Sequence, residues 1–141
     1  QAQILDLMEG LQSEFGMAML YITHDLGVIA EIADEVNVMY LGRIIERAST
    51  VRLFENPLHP YTRGLVKSIP KIGPKTRNKL DTIKGTVPVP LDLPWQCGFY
   101  SRCPAAVRGT CDVAVPSLVE VEAEHTVRCF LHSDEEEDPH G

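Results

Sequence analysis

Residues 21–46 read YITHDLGVIAEIADEVNVMYLGRIIE, and this stretch decides the predicted fold. The apolar run at residues 19–23 predicts a buried strand that ends directly before His24. In open α/β sheets, ligands bind beyond the carboxyl ends of the strands. We therefore expect His24 to project its imidazole to a place where a reacting phosphate can sit.

Short helices and a hairpin are predicted around this strand. Residues 2–15 carry an apolar stripe at helical spacing, and Gly16 suits the left-handed residue that ends a helix. Asp25 can cap a helix that closes near residue 34. Two β-branched runs flank Leu41-Gly42, which predicts a tight antiparallel hairpin at a sheet edge. Two further short helices are predicted, one capped by Ser49 or Thr50 and one beginning at Pro60. The predicted class is α/β with a parallel layer.

Composition indicates a globular chain without a membrane span. The 141 residues are 44% hydrophobic and 23% charged, and no apolar run approaches the roughly 20 residues that cross a bilayer. The first residues lack the form of a signal peptide, so a cytoplasmic location is expected. Five of the net seven negative charges lie at residues 134–138, which predicts a solvated, disordered acidic tail.

The texture of the sequence changes after residue 70. Prolines and glycines punctuate residues 71–93, and residues 63–84 hold seven Lys or Arg against one acid. We interpret this part as a basic linker, because it lacks the interleaved aromatic residues that stack nucleic-acid bases. Residues 94–133 hold all four cysteines and few helix or strand signals, which predicts an irregular Cys-rich domain. The predicted divisions are therefore 1–70, 71–93, 94–133 and the tail at 134–141.

The four cysteines are the candidate metal ligands, namely Cys97, Cys103, Cys111 and Cys129. Their spacing is not the tight pairing of a zinc ribbon, and two disulfides would suit a secreted protein better. Four thiolates can hold structural zinc or an iron–sulfur cluster, and free thiols are a further alternative. A proline-rich segment of this size is too small for a self-sufficient core, which favours a metal centre. His125 and His132 flank Cys129 as substitute ligands, although we expect surface or supporting roles for them.

Three ordered blocks resemble a known protein family. The first block contains Thr23-His24-Asp25, Ala33-Asp34-Glu35-Val36 and the run at residues 38–46, and it resembles the closing part of an ABC ATPase domain. The second block, Pro57-Leu58-His59-Pro60-Tyr61-Thr62, is similar to the start of the appendix of oligopeptide and dipeptide importer ATP-binding subunits. The third block resembles their cysteine-bearing tail, with Cys97, Phe99, Arg102-Cys103-Pro104, Cys111, Pro116, His125 and Cys129.

The resemblance implies a fold, cofactors and partners. It implies the C-terminal part of a P-loop, RecA-like ATPase core followed by the Cys-rich domain. ATP and Mg²⁺ are the implied cofactors of the parent protein, His24 is the implied catalytic contact to the γ-phosphate, and a [4Fe-4S] cluster is favoured over zinc. The implied partners are transmembrane permease subunits, a second ATP-binding subunit and, indirectly, an extracytoplasmic substrate-binding protein. No nucleic acid is expected, and the location is peripheral, at the cytoplasmic face of the membrane.

Several parts of the family pattern are missing from these residues. The sequence contains no Gly-x-x-x-x-Gly-Lys-Ser/Thr loop and no Leu-Ser-Gly-Gly-Gln-type signature, so the backbone cradle for nucleotide phosphates is missing. We therefore expect a C-terminal fragment that alone neither binds nor hydrolyses ATP well. The alternative is a stand-alone iron–sulfur or zinc sensor module that uses no nucleotide.

Overall fold

The computed structural model describes residues 2–69 and 83–139. Most of the predicted basic linker, residues 71–82, lies outside the described residues. The described residues form helices α1 (Ala2–Phe15), α2 (Leu26–Ile32), α3 (Thr50–Glu55) and α4 (Pro60–Lys67), a 3-10 turn at Tyr100–Arg102, and strands β1 (Glu35–Tyr40), β2 (Arg43–Ser49), β3 (Val119–Glu122) and β4 (His125–Val127). The α/β class is confirmed.

The helix boundaries follow the capping residues. The backbone N–H of Gly16 donates to Gln12 O at 2.9 Å, and its φ of 61° ends α1 as predicted. Asp25 accepts hydrogen bonds from the backbone of Gly27 and Val28 and so begins α2. Ser49 caps α3, and Pro60 occupies the first turn of α4. These local predictions are confirmed. Each of them depends on neighbouring residues alone, which is why the sequence could predict it.

The hairpin of β1 and β2 is also confirmed. Leu41 and Gly42 both have positive φ, 47° and 77°, which is the two-residue turn whose twist matches antiparallel strands. The pairing passes from Val38 opposite Glu46 to Met39 opposite Ile44, so Ile45 is an extra residue in β2. Such a bulge redirects side chains, and the consecutive residues Ile45 and Glu46 are consequently both buried.

The sheet is antiparallel throughout its described strands, in the order β1-β2-β4-β3. Its second half comes from the segment that was predicted to be irregular. The prediction of an irregular region is therefore wrong for residues 119–127, which form β3, a tight turn and β4. β4 pairs with β2, with Val127 opposite Glu46. The sheet thus joins the hairpin to the cysteine-bearing part of the chain.

The predicted strand at residues 19–23 is not present. These residues have no regular secondary structure, and Leu20 and Ile22 are 86% and 92% exposed. A strand requires a neighbour for its backbone hydrogen bonds, and β1 to β4 pair only with one another. The parallel layer was therefore a wrong prediction for the described residues. Tyr21 alone in this segment packs against the core.

The core lies between the hairpin, the helices that follow it and the cysteine-bearing loops. Its buried members are Ile29, Val36, Val38, Tyr40, Ile45, Ala48, Leu53 and Phe99. A smaller cluster of Leu58, Val127 and Cys129 lies beside it. β1 buries alternate residues, as a strand with one face on a core should. No helix among residues 2–69 and 83–139 is long and apolar enough to cross a membrane.

Candidate functional site

His24 lies in an exposed turn just before α2. Thr23 Oγ1 accepts a hydrogen bond from the backbone N–H of Asp25 at 3.0 Å, so the turn around His24 is fixed from both sides. Its imidazole is exposed, and within the described residues it forms no hydrogen bond or ion pair. The predicted placement of His24 at the end of a buried strand is wrong, because residues 19–23 form no strand. The ring is thus free to contact a group from outside these residues.

The cysteine-bearing loops fold around short backbone hydrogen bonds. The N–H of Cys97 donates to Cys111 O at 2.9 Å, which ties two of the predicted ligands together. Cys103 follows the 3-10 turn and donates to Tyr100 O at 3.3 Å. The N–H of Val107 donates to Cys111 Sγ at 3.4 Å. An N–H directed at sulfur stabilises a thiolate more than a thiol, because the thiolate carries the charge.

The four cysteines are free thiols in a partly buried setting. Burial raises the pKa of Cys97 and Cys103, and burial raises the pKa of Cys129 to about 11. Repulsion adds to this increase, since Cys111 raises the pKa of the other three. The four sulfurs therefore lie near enough for their charges to interact. Without a cation these three thiols stay protonated at neutral pH.

No described group of three or more His, Cys, Asp or Glu side chains is arranged to bind a metal ion. The described structure therefore does not bring the four predicted cysteine ligands together as a metal site. Nothing joins His24 to the four cysteines in the described parts of the chain, whether hydrogen bond, ion pair or ring contact. The two predicted sites are thus separate features.

A buried junction that the sequence analysis did not single out joins the three blocks. Glu46 of β2 is fully buried, and its carboxylate accepts the backbone N–H groups of Leu58 at 2.7 Å and His59 at 2.9 Å. Its Oε1 also lies 2.8 Å from Nε2 of His125, which is fully buried too. The expected surface role of His125 is therefore wrong. Because a carboxylate only accepts, Nε2 of His125 carries the proton in this contact.

The residues after Pro57 pack against the cysteine-bearing loops. The ring of Tyr61 lies 4.9 Å from that of Tyr40 and 5.5 Å from that of Phe99, measured between centroids. His59 caps α4 through Nδ1 and packs 5.7 Å from Phe99. Arg102 lies over Tyr40 and Phe99 and donates to Tyr40 Oη at 3.1 Å. The segment at residues 57–62 is thus a structural joint between the hairpin and the cysteine-bearing loops.

The acidic tail also departs from its predicted disorder over the described residues 134–139. Glu136 forms an isolated antiparallel bridge with Pro116, and Glu137 donates its N–H to Val115 O at 2.8 Å. The carboxylate of Glu137 pairs with Arg43 and with Arg128. This run of acidic residues is held in place because Glu137 pairs with two arginines and its backbone bonds to a neighbouring segment.

A family model described as the C-terminal region of oligopeptide/dipeptide transporters matches residues 45–111. That match includes the buried Glu46 and the segment at residues 57–62, and the relatives below extend it over most of the chain. The chain belongs to the ATP-binding proteins of the oligopeptide/dipeptide ABC importers and corresponds to their C-terminal part.

Three relatives illustrate the similarity. A putative peptide import ATP-binding protein of Brucella ovis is 52% identical over 135 residues, covering 92% of this chain and 40% of the relative. The oligopeptide transport ATP-binding proteins AppD and AppF of Bacillus subtilis are 50% and 43% identical, covering 96% and 94% of this chain. Those two matches cover 40% of AppD and 41% of AppF. The chain thus spans about two fifths of the length of these relatives.

Proposed function

We propose that the chain serves as the C-terminal part of an ATP-binding subunit that energises import of oligopeptides, dipeptides or related nutrients. The observation that carries this proposal is the 50–52% identity, over nearly the whole chain, to peptide import ATP-binding proteins. ATP and Mg²⁺ are then the cofactors of the intact subunit. A stand-alone metal sensor is not favoured, because such a module would have no reason to match these proteins through residues before the first cysteine.

In this proposal the described residues supply His24 and the joint, while the phosphate-binding loop belongs to the rest of the subunit. The chain alone then has no cradle for nucleotide phosphates and neither binds nor hydrolyses ATP well. The exposed apolar side chains of residues 17–22 support this view, because exposed apolar surface of this kind usually marks a contact. A magnesium-dependent ATPase rate from the 141 residues would contradict it.

We infer that His24 contacts the γ-phosphate and helps to orient the attacking water. Its exposed ring on a fixed turn supports this role, since a neutral imidazole can donate from one nitrogen and accept at the other. In the intact subunit that carries this chain, His24→Ala should abolish turnover and leave nucleotide binding largely intact. Asn37→Ala, an exposed change on β1, is the control. Unchanged turnover in His24→Ala would refute the role.

We propose that Cys97, Cys103, Cys111 and Cys129 hold a [4Fe-4S] cluster with a structural or sensing role. Four thiolates are the ligand set of such a cluster, and Cys111 lies near enough to the other three to raise the pKa of each. A cationic iron core would also relieve the repulsion that raises the pKa values of these thiols.

The test is anaerobic purification followed by iron, sulfide and zinc analysis. We expect about four iron and four sulfide per chain, the composition of the proposed cluster. Cys111→Ser should lose most of the iron, while Ser101→Ala should keep it. Zinc without iron would refute the cluster.

The proposed partners are two permease subunits, a second ATP-binding subunit of the same or a different chain, and an extracytoplasmic binding protein that supplies substrate. The subunit would then lie at the cytoplasmic face of the membrane as a peripheral protein. The divisions at residues 70, 93 and 133 stay predictions. The pairing of β4 with β2 supports close cooperation of the ATPase part and the Cys-rich part. Co-purification of the intact subunit with a permease in detergent is the test of the assembly.

A further inference from the structure

A cavity of about 240 Å³ lies at the end of the hairpin, beneath the loop that leads into Cys97. Its lining is mostly apolar and includes Tyr40, Leu41, Ile45, Trp95 and Val115. Ligand sites are typically concave and apolar, with a few polar groups that orient the ligand. A cavity of this volume is matched to a molecule about the size of one amino acid rather than to a large cofactor.

Two arginines supply the positive charge of this cavity. Arg43 begins β2, and its guanidinium lies over the ring of Trp95, 5.9 Å from the centroid. Arg128 follows β4 and is fixed in place, because it donates to Ile44 O at 3.2 Å and to Pro116 O at 3.0 Å. Both arginines line the cavity. The site therefore combines positive charge, an aromatic face and an apolar interior.

The carboxylate of Glu137 already pairs with both arginines. Oε2 of Glu137 pairs with Arg43, and Oε1 lies 3.3 Å from a guanidinium nitrogen of Arg128. The two oxygens of one carboxylate thus bridge two cations, which is the pairing that arginine favours for carboxylates. The Glu137 side chain remains about a third exposed, so solvent and solutes can reach the pair.

The segment that carries Glu137 is joined to its neighbour through the backbone. Two backbone hydrogen bonds fix it to the neighbouring strand-like segment, from Ser117 N to Glu135 O at 2.9 Å and from Glu137 N to Val115 O at 2.8 Å. Glu135 and Glu136 are exposed, and residues 134–138 contribute no apolar side chain. The Glu137 carboxylate can therefore leave the arginines without exposing a packed core.

We propose that this cavity binds a small carboxylate with an apolar body, and that Glu137 is its tethered competitor. In the absence of ligand the Glu137 carboxylate occupies Arg43 and Arg128. A ligand carboxylate takes that place, and its apolar part enters the cavity beside Trp95. The proposal stands on the contacts of these residues and does not depend on the transport function.

Trp95 provides the measurement, because it is the only tryptophan of the chain and it lines the cavity. The 141-residue chain is titrated with N-acetyl-L-leucine while tryptophan fluorescence is recorded. N-acetyl-L-leucine amide is the matched probe without the charge, acetate is the probe without the apolar body, and inorganic phosphate is the alternative anion. We expect a saturable change with the acid and much weaker responses to the other three.

Glu137→Gln tests the competitor, and Glu135→Gln is its control because it removes the same charge from an exposed position of the same tail. We expect Glu137→Gln to tighten binding of the acid about tenfold, because a charge-assisted pair no longer has to be displaced. Glu135→Gln should bind as the unchanged chain does. Adding Arg43→Gln to Glu137→Gln should weaken binding of the acid at least tenfold again. This double variant tests the contribution of the Arg43 charge when the Glu137 carboxylate is already absent.

Several outcomes would overturn the proposal. Equal affinity of the acid and its amide would remove the role of the arginines, and phosphate binding as tightly as the acid would remove the role of the apolar lining. Equal affinities of Glu137→Gln and Glu135→Gln would show that Glu137 does not compete. Far-UV circular dichroism checks that each variant is folded. If a variant does not fold, the comparison of acid with amide on the unchanged chain still tests the proposal.

Discussion

Two regions of this chain both carry apolar side chains, which are exposed in the first region and buried in the second. In residues 3–24 no side chain is buried, and Ile4, Leu7 and Phe15 on α1 are each more than 60% exposed. In residues 35–62 the alternate side chains of β1 are buried, and the cysteine-bearing loops cover them. The difference is that the second region has packing partners among the described residues. Apolar content alone therefore did not decide burial, and the availability of a packing partner did.

The comparison predicts that stability depends on the junction around Glu46. Glu46→Ala leaves the N–H groups of Leu58 and His59 and the ring of His125 without their acceptor in a fully buried place. Removing one member of such a network costs about 3–5 kcal/mol. We expect a loss of this size in the free energy of unfolding, measured by urea denaturation.

Glu35→Ala is the matched control for Glu46→Ala. Glu35 lies on the neighbouring strand of the same hairpin and forms a paired, exposed contact with Arg47 at 2.9 Å. Exposed ion pairs contribute little, so this change should leave the unfolding midpoint almost unmoved. Equal losses from the two variants would show that the buried junction does not hold the regions together.

The second prediction concerns the pH dependence of the same region. Burial lowers the pKa of His59 to about 4, with a smaller opposing effect of Glu46 and smaller lowering effects of His132 and Arg63. An unfolded histidine has a pKa of about 6.5, so the unfolded chain binds a proton that the native site excludes. His59 therefore has no effect above about pH 6.5, and stability falls as the pH drops from there toward the native pKa. The expected loss at pH 5 is about 2 kcal/mol.

Urea midpoints at pH 7 and pH 5 measure this loss. His59→Asn keeps a side chain that can cap α4 and removes the titrating group, so its stability should change less between the two values. His24→Asn, on the exposed turn, is the control and should retain the full dependence. If His59→Asn and the unchanged chain lose stability in parallel, another group is responsible.

The parts of the fold that could be predicted are those that neighbouring residues determine. The turn at Leu41-Gly42, the cap at Asp25 and the helix start at Pro60 each follow from a few adjacent residues. The strand at residues 19–23 could not be judged this way, because an apolar run forms a strand only beside another strand. Pairing of β4 with β2 joins residues about 80 positions apart, and no local pattern specifies it.

The candidate sites divide in the same manner. The sequence identified His24 and the four cysteines as candidates, and their roles stay predictions. Glu46 was missed because charged residues are rarely fully buried, although its place two residues before buried Ala48 gave a signal through the strand period. The contacts of Glu137 were missed because a run of acidic residues usually indicates a solvated tail. Both residues acquire their partners from distant segments.

The last prediction, with the smallest effect, compares one glycine from each region. A Cβ at Gly42 or at Gly10 would meet nothing within 4 Å, so sterics do not distinguish them. Gly42→Ala places a side chain at a φ of 77° inside the cooperative hairpin and should lower stability by about 1–2 kcal/mol. Gly10→Ala favours α1 by about 0.5–1 kcal/mol.

Because α1 has no buried side chain among residues 3–15, the gain from Gly10→Ala should appear as increased helix content by circular dichroism. It should leave the urea midpoint of the hairpin region unchanged, whereas Gly42→Ala should lower that midpoint. A midpoint that rises with Gly10→Ala would mean that α1 unfolds together with the core. The contrast between the two regions would then lie in their exposure alone and not in their cooperativity.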